Sequence, residues 1–174
     1  MKLEVSKKKT YLAISRRVNP YSPNTSFLAI FNSQKFVPSD GAFKLFKVEE
    51  EKYAKILCLS FNSIHYLIQF FRNKEETTGQ YSTIRSDDLV LIDIINPEKL
   101  SEQEIQTLLT LFEKIKNVEF PSLMEQLQKR FWARVELDKT ILKVLGLTDR
   151  EIDEWLPKIY DTLIEEMRVM RDAR

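Results

Sequence analysis

The sequence predicts an α+β protein, in which a small, twisted β-sheet with one long packed helix is followed by a C-terminal helical region. Two observations support this prediction. Short apolar runs separated by prolines and glycines fill residues 1–97, which is typical of strands and turns. Beyond Pro97 the apolar residues recur at helical spacing behind helix-start signals. We therefore divide the chain into a sheet region, residues 1–97, and a helical region, residues 98–174, which we expect to pack on the sheet region or on a partner.

Apolar runs and period-two alternation locate the strands. Phe27–Phe31 is a continuous apolar run, as in a buried strand, whereas Phe43–Val48 alternates apolar and basic residues, as in a half-buried strand. Prolines, which fix φ and remove a backbone donor, place turns at Asn19–Asn24 and Pro38–Gly41. The predicted strands are Tyr11–Ile14, Phe27–Phe31, Phe43–Val48, Gln80–Ile84 and Leu89–Ile94.

A change of period marks the helices. Apolar residues between Glu49 and Arg72 fit one helix with a wide apolar face. In the helical region Gly146 is placed to end a helix, and Pro157 predicts a kink or a break in the last one. Capping boxes, with glutamate three residues after serine or threonine, begin at Ser101, Ser122 and Thr148. The predicted helices of this region are 101–117, 121–133, 135–145 and 149–171.

Composition narrows the class of protein. With 43% hydrophobic residues the chain can bury a core, yet no apolar run is long enough to span a membrane, and no apolar stretch follows the first lysines as in a signal peptide. The single cysteine, Cys58, excludes an internal disulfide and a cysteine zinc site. The single histidine, His65, leaves little for metal or general-base chemistry. We expect a cytoplasmic protein with no membrane partner.

The net charge of +1 conceals an asymmetry along the chain. Residues 1–90 carry 14 Lys and Arg against 9 Asp and Glu, whereas residues 91–174 carry 13 against 17. A basic first half beside an acidic second half favours a polyanionic partner for the first half. A solvated surface of mixed charge would give the same counts.

Basic, amide and aromatic side chains of the first half are the candidate DNA-binding residues. Lysines and arginines contact phosphates, while amides, hydroxyls and guanidinium groups can bind base edges. Loops near residues 16–24, 34–35 and 72–85 carry most of these groups. The candidates are Lys7, Lys8, Lys9, Arg16, Arg17, Asn24, Gln34, Lys35, Arg72, Asn73, Lys74, Thr78, Gln80, Tyr81 and Arg85.

Two other functions fit parts of the sequence. Asp40, Glu50 and Lys52 match a loose nuclease pattern in which carboxylates hold Mg²⁺ and lysine polarises a phosphate. This pattern is short and common by chance, and acids near residue 50 also suit the start of a helix. The acidic, amphipathic helices of residues 101–171 could instead dock a protein partner, which would make the chain an interaction module.

Several short patterns follow one another in an order that is characteristic of one family. A helix with the sequence Leu59-Ser60-Phe61-Asn62-Ser63 precedes a small-residue turn with a glycine and an aromatic, Thr77–Tyr81. An arginine then precedes an acidic pair and a leucine in Arg85–Leu89, and the next strand ends in a proline loop at Asn96-Pro97. This order resembles the C-terminal target-recognition domain of adenine-specific DNA methyltransferases, including those of restriction–modification systems.

The resemblance runs from about Arg17 to the C-terminus and implies that residues 1–97 recognise a sequence in double-stranded DNA. In such enzymes a catalytic domain binds S-adenosylmethionine and methylates the exocyclic amine of adenine. This sequence has three glycines and no glycine-rich cofactor loop, and Asn19-Pro20-Tyr21 lacks one proline of the family's Asn-Pro-Pro-Tyr loop. We therefore expect no catalytic residue, cofactor or metal in this chain. The methyltransferase domain would be joined in cis or form a separate subunit.

Overall fold

The computed structural model describes residues 9–15, 17–37, 43–73, 75–76, 82–83 and 92–172. Its strands are β1 (Thr10–Ser15), β2 (Arg17–Val18), β3 (Ala29–Phe36), β4 (Phe43–Leu45), β5 (Glu75–Glu76) and β6 (Ser82–Thr83). Its helices are α1 (Glu51–Asn62), α2 (Ile64–Asn73), α3 (Glu102–Ile115), α4 (Leu123–Gln128), α5 (Trp132–Val144) and α6 (Asp149–Asp172), with a 3₁₀ turn at Pro97–Lys99. The α+β fold class is confirmed.

The larger sheet has the strand order β3-β1-β4, and both pairs are antiparallel. Thr10 lies opposite Phe36, but Leu12 lies opposite Phe31, so β3 carries extra residues in a bulge between these pairs. The bulge, residues 32–35, is exposed, and Gln34 N–H donates to Asn32 Oδ1 at 2.9 Å. A run that the sequence predicts as a strand to Phe31 therefore continues to Phe36 and projects a polar turn from the sheet.

A second, smaller sheet has the order β2-β6-β5. Arg17 lies opposite Thr83 on β6, and Thr83 lies opposite Glu75 on β5. The predicted strand Leu89–Ile94 is wrong at its C-terminal end, because residues 92–94 form no ladder with another strand. The turn predicted at residues 38–41 lies outside the described residues.

The one long helix predicted between Glu49 and Arg72 is wrong, because the chain forms two helices that meet at Ser63. Ser63 is extended (φ −80°, ψ 166°), and its hydroxyl donates to the Ser60 carbonyl at 2.7 Å. This local bond satisfies a carbonyl at the end of α1 and competes with continued helix. Both helices bury wide apolar faces, which explains the single periodic pattern in the sequence.

Local signals define the later helices more closely than the earlier ones. Ser101 with Glu104 forms the predicted capping box, and Thr148 exchanges the same pair of bonds with Glu151. Gly146, at φ 94°, ends α5 in a left-handed conformation that costs glycine little. The helix α6 is continuous through Pro157, so the predicted break there is absent.

One hydrophobic core joins the sheet region to the helical region. The helix α1 packs on β1 and β3 and also on α3 and α5, while α6 packs on α4 and α5. The larger sheet therefore meets the helical region mainly through α1, whereas α6 packs on other helices. Within the described ranges, no helix is long and apolar enough to cross a membrane.

Candidate nucleic-acid interface

Seven of the fifteen candidate DNA-binding residues lie in the part of the chain that the structure describes, and they form two groups. The first group is Lys9, Gln34 and Lys35, and the second is Arg17, Asn24, Arg72 and Asn73. All seven are exposed except Asn73, which is partly buried. The candidates outside the described residues are Lys7, Lys8, Arg16, Lys74, Thr78, Gln80, Tyr81 and Arg85.

The register of the larger sheet brings the first group together. Lys9 precedes Thr10, and Thr10 lies opposite Phe36, the residue that follows Lys35. The Lys35 ammonium lies 4.9 Å from the centre of the Tyr11 ring, a cation–π contact that holds the lysine against the sheet. Gln34 projects from the bulge beside it. Two cations and one amide therefore cluster at the N-terminal end of β1.

The second group surrounds the smaller sheet at the opposite end of β1. Arg17 and Asn24 line a common surface recess, while Asn73 ends α2 two residues before Glu75 of β5. Neighbouring strands lie about 4.8 Å apart, so the backbone of Arg17 is about 10 Å from that of Glu75 across β6. The Asn73 amide donates to the Gln69 carbonyl at 2.9 Å, so it helps to end α2.

The two groups are separated by the length of β1. The ends of β1, Thr10 and Ser15, are five residue steps apart, about 17 Å at about 3.3 Å a step, which equals about five base-pair steps of B-DNA, and the two groups lie beyond these ends. Both groups can therefore contact one duplex but cannot contact the same base pair.

The first part of the sheet region, from Lys9 to Val48, is basic in its described residues. Residues 9–15, 17–37 and 43–48 contain Lys9, Arg17, Lys35, Lys44 and Lys47 and no acidic residue. Lys47 pairs with Glu49 at 3.6 Å, beyond the end of β4. A surface of one charge sign attracts a polyanion over distances of about one Debye length, about 8 Å at physiological salt.

A buried polar network that sequence reasoning missed connects the sheet region to the helical region. Asp138 accepts from Ile64 N–H at 2.7 Å and from Tyr160 Oη at 2.6 Å. Arg134, one helical turn before Asp138 on α5, donates through Nη2 to the Asn62 carbonyl at 2.7 Å. The two backbone groups that flank the break at Ser63 are thus bound by an Arg–Asp pair on α5.

Burial governs the electrostatics of this network. Desolvation raises the pKa of the Asp138 carboxyl, while Arg134, the Tyr160 hydroxyl and Ile64 N–H oppose that rise. Desolvation and the Asp138 charge raise the pKa of Tyr160, so its hydroxyl remains a proton donor. The four-residue spacing of Arg134 and Asp138 is the sequence signal for this pair. Exposed ion pairs on helices have the same spacing, so the spacing alone does not predict a buried pair.

Asn62 extends the network to the sheet. Its Oδ1 accepts from Leu28 N–H at 2.8 Å and from Ala29 N–H at 3.0 Å, and its Nδ2 donates to the Ala29 carbonyl at 2.9 Å. The side-chain amide therefore binds Ala29 as a neighbouring strand would. Gln126 holds the chain just before this point, because its Nε2 donates to the Ser26 carbonyl at 2.8 Å.

Two of the three residues of the nuclease pattern lie beside each other. Glu50 precedes α1 and pairs with Lys52 at 3.1 Å, while Asp40 lies outside the described residues. Cys58 and His65 lie on different helices, and burial raises the pKa of the Cys58 thiol to about 12. Among the described residues, no group of three or more His, Cys, Asp or Glu side chains could hold a metal ion.

We expect the free energy of unfolding to fall as the pH drops below 6.5 because of His65. Burial lowers the pKa of the His65 imidazole from 6.5, although the Asp93 charge opposes this shift. The unfolded chain then binds the proton more tightly, so stability is complete above pH 6.5 and is lost as pH falls through the folded-state pKa. Since His65 is the only histidine, His65→Gln should flatten this dependence in chemical denaturation. Equal slopes for both proteins would contradict this assignment.

The described side chains and the sequence resemblance are the basis for a functional proposal. No protein-family model matches the chain, and neither a curated protein nor a solved structure matches it.

Proposed function

We propose that this chain is the sequence-specific DNA recognition module of an adenine-specific DNA methyltransferase or restriction–modification enzyme. The catalytic domain, in cis or as a separate subunit, would bind S-adenosylmethionine and carry out the methyl transfer. The observation that supports this proposal most is the difference in charge between the described residues from 9 to 48, which are basic, and α6, which is acidic. The sequence resemblance supplies the class of enzyme.

The charge of α6 is opposite to that of the described residues from 9 to 48. This helix carries eight acidic residues against four basic ones. It packs on α4 and α5, whereas the larger sheet packs on α1. A duplex therefore meets attraction at the sheet and repulsion at α6, which orients the module on DNA before any base is contacted.

Each of the two groups combines charged side chains with amides. Lys9, Lys35 and Arg17 provide charge for phosphate contacts, which fix register and orientation. Gln34 and Asn24 are exposed amides on turns, and an amide can bind the N6 and N7 edge of adenine in the major groove with two hydrogen bonds. Each group can therefore combine phosphate contacts with contacts to base edges.

The triple substitution Lys9→Ala, Arg17→Ala and Lys35→Ala should weaken duplex binding and its salt dependence. Each lost phosphate contact lowers the slope of log K against log salt by about 0.9, so up to about 2.7 is expected for three. Fluorescence anisotropy with a labelled duplex of about 24 base pairs, between about 50 and 200 mM salt, measures both quantities.

The matched control removes three cations from α6, as Arg150→Ala, Lys158→Ala and Arg168→Ala. Both triple variants lose three positive charges. If DNA binding depended only on the net charge of the protein, both would lower the salt slope equally. We expect the α6 variant to keep the wild-type slope. If neither variant differs from a wild type that binds, the charge assignment fails; if the wild type itself does not bind, docking of a protein partner on the acidic helices becomes the better hypothesis.

A second experiment tests the class of enzyme. A methyltransferase catalytic domain should be encoded in frame with this chain or beside it. Expressed together, the two should methylate adenine in a defined DNA sequence, and the Lys9, Arg17 and Lys35 triple variant should reduce that methylation. Methylation of unchanged specificity in the absence of this chain would contradict the proposal.

A further inference from the structure

We infer that a recess beside the loop of residues 19–28 holds one unpaired base of a nucleic-acid strand, with Phe27 as its stacking surface. The inference rests on the proposed function, because it specifies which form of DNA this surface binds. Three observations support the inference: the exposure of Phe27, the hydrogen bonds that hold the loop, and the side chains that line the recess.

The Phe27 ring is exposed to solvent and is also held in place by a neighbouring ring. The ring is 44% exposed, and Ile30 beside it is 46% exposed. Phe27 packs edge-on against Phe120, with ring centroids 4.8 Å apart, so one partner fixes the ring. Exposed apolar side chains that adjoin a polar rim are characteristic of binding surfaces.

The backbone around Phe27 is held by long-range hydrogen bonds. Leu123 N–H donates to the Thr25 carbonyl at 2.7 Å, and the Ser26 hydroxyl donates to the Phe120 carbonyl at 3.2 Å. On the other side, Leu28 N–H is bound by the buried amide of Asn62. The loop therefore presents a preorganised ring, so binding a flat ligand would cost little conformational entropy.

The turns of the loop place amides at the rim. Ser22 N–H donates to the Asn19 carbonyl at 3.2 Å, and Thr25 N–H donates to the Ser22 carbonyl at 3.1 Å. Asn19 and Asn24 line the recess together with Arg17 and Phe27. Amides bind the hydrogen-bonding edges of bases, arginine binds phosphate, and an aromatic face stacks on any base.

Size and charge favour an unpaired nucleotide over a peptide. The recess has a volume of about 310 Å³, at the lower end of small-molecule sites, which suits one planar group. Among the described residues, its lining contains one arginine and no acidic residue. The described acids of the smaller sheet, Glu75 and Glu76 on β5, lie two strands away from Arg17, so the ligand should be anionic as well as aromatic.

Binding of a single strand tests the inference. We would compare labelled oligothymidylate of about 20 nucleotides, a strand of the same length with abasic sites throughout, and a duplex of about 20 base pairs, all at low salt. The wild type should bind oligothymidylate more tightly than the abasic strand. Phe27→Ala should weaken oligothymidylate binding roughly 5- to 150-fold, which corresponds to the stacking of one base, and leave the abasic strand unchanged.

Two further variants separate stacking from folding. Phe27→Leu keeps apolar bulk against Phe120 but removes the aromatic face, so it should lose binding as Phe27→Ala does while its thermal midpoint stays closer to that of the wild type. Trp155→Ala removes an aromatic of similar exposure, 51%, from α6 and should leave all three affinities unchanged.

The three probes distinguish failure of the stacking site from failure of the proposed function. Duplex binding without any preference for oligothymidylate over the abasic strand overturns the stacking site and leaves the proposed function intact. An equal loss on all three probes for Phe27→Leu also overturns it, because stacking on one unpaired base would spare the abasic strand. If no probe binds to the wild type, the proposed function and this inference both fail.

Discussion

Asp138→Ala should lower the free energy of unfolding by about 3–5 kcal/mol, the range expected when one partner of a buried ion pair is removed. The Asp138 side chain is fully buried, and the Arg134 side chain is only 3% exposed. Removal of the carboxylate leaves the guanidinium without its counter-charge and Ile64 N–H without an acceptor. Urea denaturation of the wild type and the variant, monitored by circular dichroism, measures the difference.

An exposed pair of the same kind provides the control. Lys139 and Asp153 pair at 2.6 Å between α5 and α6, with side chains 43% and 64% exposed, so Asp153→Ala should cost less than about 1 kcal/mol. The double variant Arg134→Met with Asp138→Leu should be more stable than Asp138→Ala alone, because it leaves no buried charge unpaired. A loss for Asp138→Ala no greater than that for Asp153→Ala would show that the buried network contributes little.

Asn62→Ala should lower the free energy of unfolding by about 3 kcal/mol or more. The variant leaves Leu28 N–H and both backbone groups of Ala29 without their present partners, and each buried unsatisfied group costs about 1–3 kcal/mol. Since these groups anchor β3 to α1, hydrogen exchange at Leu28 and Ala29 should accelerate more than exchange in α6.

Two further substitutions test which bonds of Asn62 matter and whether burial accounts for their effect. Asn62→Asp keeps an acceptor for the two N–H groups but removes the donor to the Ala29 carbonyl. Comparing its stability with that of Asn62→Ala therefore distinguishes the bonds that the amide oxygen accepts from the bond that the amide nitrogen donates. Asn32→Ala removes one exposed amide acceptor from the bulge, where water can replace it, and should cost less than about 1 kcal/mol. Similar losses for Asn32→Ala and Asn62→Ala would contradict the assigned role of burial.

Features that depend on neighbouring residues could be predicted from the sequence. The capping boxes at Ser101 and Thr148 and the glycine after α5 act within one helical turn, and the structure contains all three. Apolar periodicity located α1 and α2 but could not divide them. Their division depends on Ser63 and on side chains that are more than 70 residues away in sequence.

Features that depend on long-range pairing could not be predicted. The bulge in β3 requires the register with β1, and nothing within residues 27–36 specifies which residue faces Thr10. The continuity of α6 through Pro157 is similar, because proline predicts a break whereas packing on α4 and α5 retains the helix. Tertiary contacts override local preference in both cases.

The candidate interface was predictable in composition but not in arrangement. Lys9 and Lys35 are 26 positions apart in sequence, and only the pairing of β1 with β3 makes them neighbours. Arg17 is close to Lys9 in sequence, yet the extended chain between them places it in the other group. Phe27 was assigned to a buried strand because its run is apolar, and its exposure depends on where the ladder begins, at Ala29.

The contacts of Asn62 and Cys58 also determine how this protein can meet other copies of itself. The strand β3 forms one edge of its sheet, and an open edge is a template for strand addition by a second molecule. Asn62 occupies both backbone groups of Ala29, and the Cys58 thiol donates to the same carbonyl at 3.8 Å. Beyond Phe31 the bulge carries the chain out of the ladder. The start of β3 is therefore closed to strand addition at Ala29, which protects this edge from aggregation through strand pairing.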